Sequence, residues 1–102
     1  IELFLENAPV RLATAREAYD AGDLATLHRA VHSLKSTAAN LGARSLQRTA
    51  EAAEGRAGAE DLDALPPLLD DLDRRYEEAR TELEAERDRL SGPLSTNPEE
   101  LQ

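Results

Sequence analysis

At 102 residues, with no cysteine and a formal net charge of −9, the chain has room for one small domain and none for a disulfide framework, a thiolate nucleophile or a sulfur-bound zinc. Its 21 acidic residues against 12 basic ones argue against nucleic acid as a partner, because phosphates are repelled everywhere except at a local basic patch. No apolar run approaches the ~18 residues a membrane span needs and no signal peptide is evident, so a cytoplasmic, monomeric domain without direct membrane contact is expected. Starting at Ile1 rather than at a methionine, it reads as a piece excised from a longer protein.

Abundant Ala, Leu, Glu and Arg, with two tyrosines and one phenylalanine, favour helices throughout. A short apolar run from Ile1 to Leu5 predicts a brief extra N-terminal helix. Asn7 is a plausible cap for the next helix, with Pro9 in its first turn and its end near Ala21, before Gly22. Asp23 then caps a helix whose apolar residues Leu24, Leu27, Val31, Leu34, Ala38 and Leu41 recur at alternating three- and four-residue spacings up to Gly42. It is the clearest period in the sequence. A third helix carries Ala43, Leu46, Ala50, Ala53 and Ala57, with a frayed end expected at Gly55 and Gly58. The last begins near Pro66 and Pro67, which a first turn tolerates, and buries Leu65, Leu68, Leu69, Leu72, Tyr76, Ala79 and Leu83. Asp70 with Arg74, and Asp71 with Arg75, fit solvated ion pairs four residues apart. Turn formers in SGPLSTNPEELQ predict a disordered tail over 91–102, leaving 1–90 as the domain. The expected fold is all-α, an antiparallel up-and-down four-helix bundle.

The functional signal is a gap in the charge pattern. From Leu24 to Ala50 there is no Asp or Glu, only Arg29, Lys35, Arg44 and Arg48, and Lys35 is the single lysine of the chain. At about 100° per residue, His32 departs from the apolar stripe by about 130° and His28 by about 90°. His32 should therefore face water or a partner, and His28 the edge of the core. Lys35 and Ser36 are helix neighbours of His32, while a hairpin at Gly42 brings Glu51 and Glu54 opposite it. A carboxylate there can hold one ring nitrogen as N–H and leave the other as a nucleophile. Phosphoryl transfer asks a protein chiefly for positioning and cationic stabilisation of the moving charge, and a histidine beside a lysine supplies both. His28 and His32 also have a zinc-compatible spacing, but a third ligand is lacking and the surround is cationic, so no metal site is expected.

The run AVHSLKSTAANLGARSL, residues 30–46, resembles the signature of histidine phosphotransfer domains, and the looser likeness extends from Phe4 to about Leu83. The resemblance implies the helical bundle already inferred, His32 as phosphoryl acceptor, Lys35 as stabiliser of the phosphoryl group, and Gly42 as the residue permitting the tight turn. Two positions depart from the common pattern: Ser36 where relatives often carry Gly, and Glu54 where they often carry Gln. Such domains relay a phosphoryl group from one receiver-domain aspartate to another, without an ATP site or kinase activity of their own, and this chain likewise shows no phosphate-cradling glycine loop. The implied partners are response-regulator receiver domains and, where the domain is fused to one, a hybrid sensor kinase. No cofactor is implied in this chain, and Mg²⁺ only in the partner receiver. Two other readings stay open: the phosphotransfer domain of a chemotaxis-type kinase, and a non-catalytic adaptor that binds receivers.

Overall fold

The computed structural model describes backbone for residues 2–100 and side chains for residues 3–89. Four helices follow one another: α1 (Glu2–Ala21), α2 (Leu24–Leu41), α3 (Arg44–Gly58) and α4 (Leu65–Glu100), with no strand among the described residues. Each helix packs on its chain neighbour, and α1 also packs on α4. Turns of two residues, Gly22–Asp23 and Gly42–Ala43, join the first three helices, so α1, α2 and α3 must run antiparallel. The result is the up-and-down bundle that the periodicity predicts.

Three of the helices end in the same way. The amide of the residue after a left-handed position donates to the carbonyl five residues back: Asp23 to Ala18 at 2.8 Å, Ala43 to Ala38 at 2.9 Å, and Asp61 to Arg56 at 2.9 Å. The residues turned left-handed are Gly22 (φ 74°), Gly42 (φ 76°) and Glu60 (φ 56°). This closure satisfies carbonyls that a helix end otherwise leaves without partners. Glycine adopts it freely, whereas Glu60 has a Cβ that disfavours it. At the other end of α2, the Asp23 carboxylate accepts from the Thr26 amide at 3.1 Å, the cap the sequence predicts. The Thr26 hydroxyl, which donates to Asp23 Oδ2 at 2.6 Å, and this amide bond hold the carboxyl below its usual range.

The core takes one stripe from each helix: Phe4, Ala8, Leu12, Ala15 and Ala18 of α1; Leu27, Ala30, Val31, Leu34 and Ala38 of α2; Leu46, Ala50, Ala53 and Ala57 of α3; Leu65, Leu69, Leu72, Tyr76 and Ala79 of α4. The alanines of α3 let α2 approach closely, which brings side chains at the edge of that seam within bonding reach of each other. Leu34, at 1% exposure, anchors the helix that carries His32. Its truncation to Ala would cost ~2–5 kcal/mol.

Several expectations need correction. The separate N-terminal helix does not exist: α1 is continuous from Glu2, Asn7 lies inside it, and Pro9 is an interior residue. Phe4 and Ala8 are buried on the same stripe as Leu12, and Phe4 packs on Tyr76 with ring centroids 5.5 Å apart. That burial continues the helix past the backbone hydrogen bond Pro9 cannot make. The end of α3 is not frayed, because helix persists through Gly58 and closes at Glu60. Asp70 pairs with Arg16 of α1 rather than with Arg74, at 2.6 Å, and Asp73 holds the same guanidinium at 2.7 Å. The acidic face of α4 is thus partly a clamp between helices. The backbone over Ser91–Glu100 is helical where a tail was expected. The side chains of that segment, and Leu101 and Gln102 altogether, lie outside the described residues.

Candidate functional site

His32 lies mid-way along α2, on the face turned from the core, with its side chain 57% exposed. Directly across the α2–α3 seam stands Glu54, only 16% exposed. Its carboxylate is divided between two partners. Oε2 is 2.5 Å from His32 Nδ1, and Oε1 accepts from Lys35 Nζ at 2.6 Å. A third group stands close by, His28 Nε2 at 4.0 Å from Oε2. Lys35 is the more sheltered of the two direct partners, with 26% of its side chain exposed.

The electrostatics of this cluster fix the chemistry of the ring. The Lys35 ammonium, opposed by partial burial and aided by His32, holds the Glu54 carboxyl below its ordinary range. Glu54 is therefore ionised near neutrality, and an ionised carboxylate can only accept hydrogen bonds. The nitrogen facing it must carry the proton, so neutral His32 is the Nδ1–H tautomer and Nε2 keeps its lone pair. That nitrogen lies on the side of the ring away from Glu54. An imidazole of defined tautomer on an exposed helix face is what the contacts build.

The surround is open. His28, Arg29, His32 and Glu54 line a concavity of about 440 Å³, and Ser36, one turn beyond His32, is exposed and makes no side-chain hydrogen bond among the described residues. Toward the hairpin, Ala39, Gly42, Arg44, Gln47 and Arg48 line a second concavity of about 470 Å³. Arg44 and Arg48 form no ion pair among the described residues, whereas Arg29 donates to Thr26 Oγ1 at 3.1 Å. Gly42 shapes the turn between the two helices. A Cβ there would meet nothing within 4 Å, so its requirement is conformational rather than one of space. No group of three or more metal-ligating side chains is assembled among the described residues.

Of the residues singled out from the sequence, His32, Lys35 and Glu54 come together, Ser36 borders them, and Gly42 sets the hairpin that aligns them. Glu51, the other acid expected opposite His32, is exposed and takes no part. Two contacts are not among those expected from the sequence: Lys35 rests on Glu54 Oε1, and His28 approaches Oε2, the oxygen that faces His32. The period places His28 at the edge of the core, as found, and a level comparison across the hairpin would have paired it with the end of α3.

The fold and site are those of a four-helix bundle that presents an exposed histidine, held by a carboxylate, from its second helix. The Hpt domain family model matches residues 1–90, and the chain belongs to the Hpt domain family. It is thus a histidine phosphotransfer domain of two-component phosphorelay signalling, a class that works with the receiver domains of response regulators. No curated protein and no solved structure matches the chain. Among the described residues no helix is long and apolar enough to cross a membrane.

Proposed function

We propose that His32 takes a phosphoryl group on Nε2 from the aspartyl phosphate of one receiver domain and yields it to the aspartate of another. The supporting observation is the Glu54 bond to Nδ1, which leaves Nε2 as the outward lone pair. In the forward step that lone pair attacks phosphorus, the N–P bond forms, and the bond from phosphorus to the aspartyl oxygen breaks, returning a free carboxylate. No proton need move. The ring, now substituted at both nitrogens, gains positive charge that Glu54 offsets. Lys35 moves from Oε1 toward the phosphoryl oxygens as their charge arrives, and the hydroxyl of Ser36, exposed one turn beyond His32, donates to the same oxygens. The reverse step retraces these bonds. The chain requires no cofactor of its own, and Mg²⁺ belongs to the receiver.

Labelling with a phosphorylated receiver tests the assignment. The product should be acid-labile and alkali-stable, as an N–P bond is. His32→Gln should abolish label while His28→Gln still carries it. Equal loss from both variants would mean a paired acceptor and would overturn the role given to His32.

A further inference from the structure

His28 is not needed for the chemistry just described, yet its ring is the third basic group around Glu54. It sits one helical turn before His32, with Nε2 4.0 Å from the oxygen that holds His32 Nδ1. That separation is too long for a hydrogen bond and short enough for an ion pair once the ring is charged. The side chain is 44% exposed, and Gly58 of α3 lies beside it, where even an added Cβ would stand 4.0 Å from His28 Cδ2. Of the charged groups on the two helices packed against α2, Glu54 of α3 is the one at ion-pair distance from the ring, and no acid or base of α1 pairs with it among the described residues. On α2 itself its titratable or charged neighbours are Arg29, which repels a positive charge, and His32, which does so once protonated or phosphorylated at the ring.

We propose that His28 is a positioning residue for phosphotransfer, a proton-gated competitor for the Glu54 oxygen that holds His32 Nδ1. Neutral His28 leaves Oε2 to His32, which keeps the Nδ1–H tautomer and its outward lone pair. Protonated His28 needs only a small side-chain rotation to donate to Oε2. The carboxylate is then shared, its hold on the His32 tautomer weakens, and a second positive charge stands beside a ring that must itself become positive when phosphorylated. Lys35 already occupies Oε1, so the carboxylate has no equivalent oxygen to offer. Acid therefore slows the acceptor twice, once by protonating His32 and once through His28.

The inference rests on the phosphotransfer reading, and two measurements separate their failures. Histidine side chains change charge between about pH 5 and 8. In ¹⁵N spectra of the unphosphorylated protein across that range, the His32 ring nitrogens should respond in two steps, one of them coincident with protonation of His28. His28→Gln should leave a single step. With phosphoramidate as donor, whose P–N bond breaks to release ammonia, the labelling rate of the wild type should fall about 5-fold further on acidification than that of His28→Gln, the extra loss accruing over the range in which His28 takes its proton. His28→Lys, which fixes a positive charge at the position, should label about 5-fold or more slowly than wild type at pH 8. Identical single-step spectra and parallel acid limbs in wild type and His28→Gln would overturn the role of His28. A wild type that takes no label at any pH would overturn the phosphotransfer reading instead, while the spectra still decide the coupling.

Discussion

Replacing Lys35 with alanine isolates what the ammonium does during transfer. At rest it touches Glu54 Oε1 at 2.6 Å, so its service to the phosphoryl group is a difference between two contacts rather than the whole of one. A unit charge pair at ~4 Å is worth about 4 kcal/mol at an effective dielectric of ~20. Giving up Glu54 costs a similar contact, although Glu54 keeps its bond to His32. The phosphoryl group carries more than one negative charge, and a docked receiver excludes water from it but not from the resting pair. A net gain of ~1.4 kcal/mol in the transition state is therefore reasonable, about tenfold in rate. Lys35→Ala should transfer phosphate about 10-fold more slowly in single-turnover mixing with a phosphorylated receiver, with its helicity retained and its melting lowered only modestly, because the part-buried Glu54 loses one partner but keeps its bond to His32. Lys35→Glu should be slower still, since it sets a second carboxylate beside Glu54. Raising salt should slow the wild type by screening the encounter. A Lys35→Ala variant that transfers at the wild-type rate across receiver concentrations and ionic strengths would refute this reasoning.

Glu54 ties the cluster to pH. Because its folded carboxyl titrates below the ordinary value of 4.5, the stability it contributes is present above that value and lost as pH falls through the lower folded one. Glu54→Gln should lower the melting temperature at pH 7 and melt with a shallower acid dependence; a variant whose acid limb overlays the wild type would contradict this. Glu60→Gly should raise the melting temperature, since relieving a left-handed glutamate gains up to ~1 kcal/mol, or ~4–8 °C in a domain of this size. Gly42→Ala should lower it by a similar amount, and thermal scans that reverse either sign would count against the capping account. Deleting 91–102 is proposed to leave both the thermal midpoint and phosphotransfer unchanged, and a drop of several degrees would show that Leu94 or Leu101 packs on the bundle.

The bundle was legible because two features fix one another. The stripe from Leu24 to Leu41 sets which way α2 faces, and the two-residue turn at Gly42 leaves α3 little freedom of register. The direction of His32 and the arrival of an acid opposite it follow from these alone. The helical start before Pro9 was not legible, since its cause is burial of Phe4 and Ala8 against distant parts of the chain, which outweighs a local breaker. Nor was the Arg16 clamp, because Asp70 has a local partner at the right spacing and takes a remote one.

The choice of Glu54 over Glu51 has a physical cause that the sequence does contain. Side chains on a helix lean toward its N-terminus. On α2 this tilts Lys35 back to the level of His32, away from the hairpin. On α3, which runs the other way, it tilts Glu54 toward the hairpin, so that its carboxylate arrives between His32 and Lys35 and can touch both. Glu51, one turn closer to the hairpin and leaning further toward it, passes beyond the lysine. The acid-free stretch from Leu24 to Ala50 then acquires a plain consequence. With no carboxylate of its own, α2 shares one from α3, and the same ion fixes the histidine's tautomer and, in the proposed transfer, restrains the lysine until a phosphoryl group competes for it. An added acid within that stretch, such as Ala39→Glu one turn beyond Lys35, would offer the lysine a second resting place and loosen both.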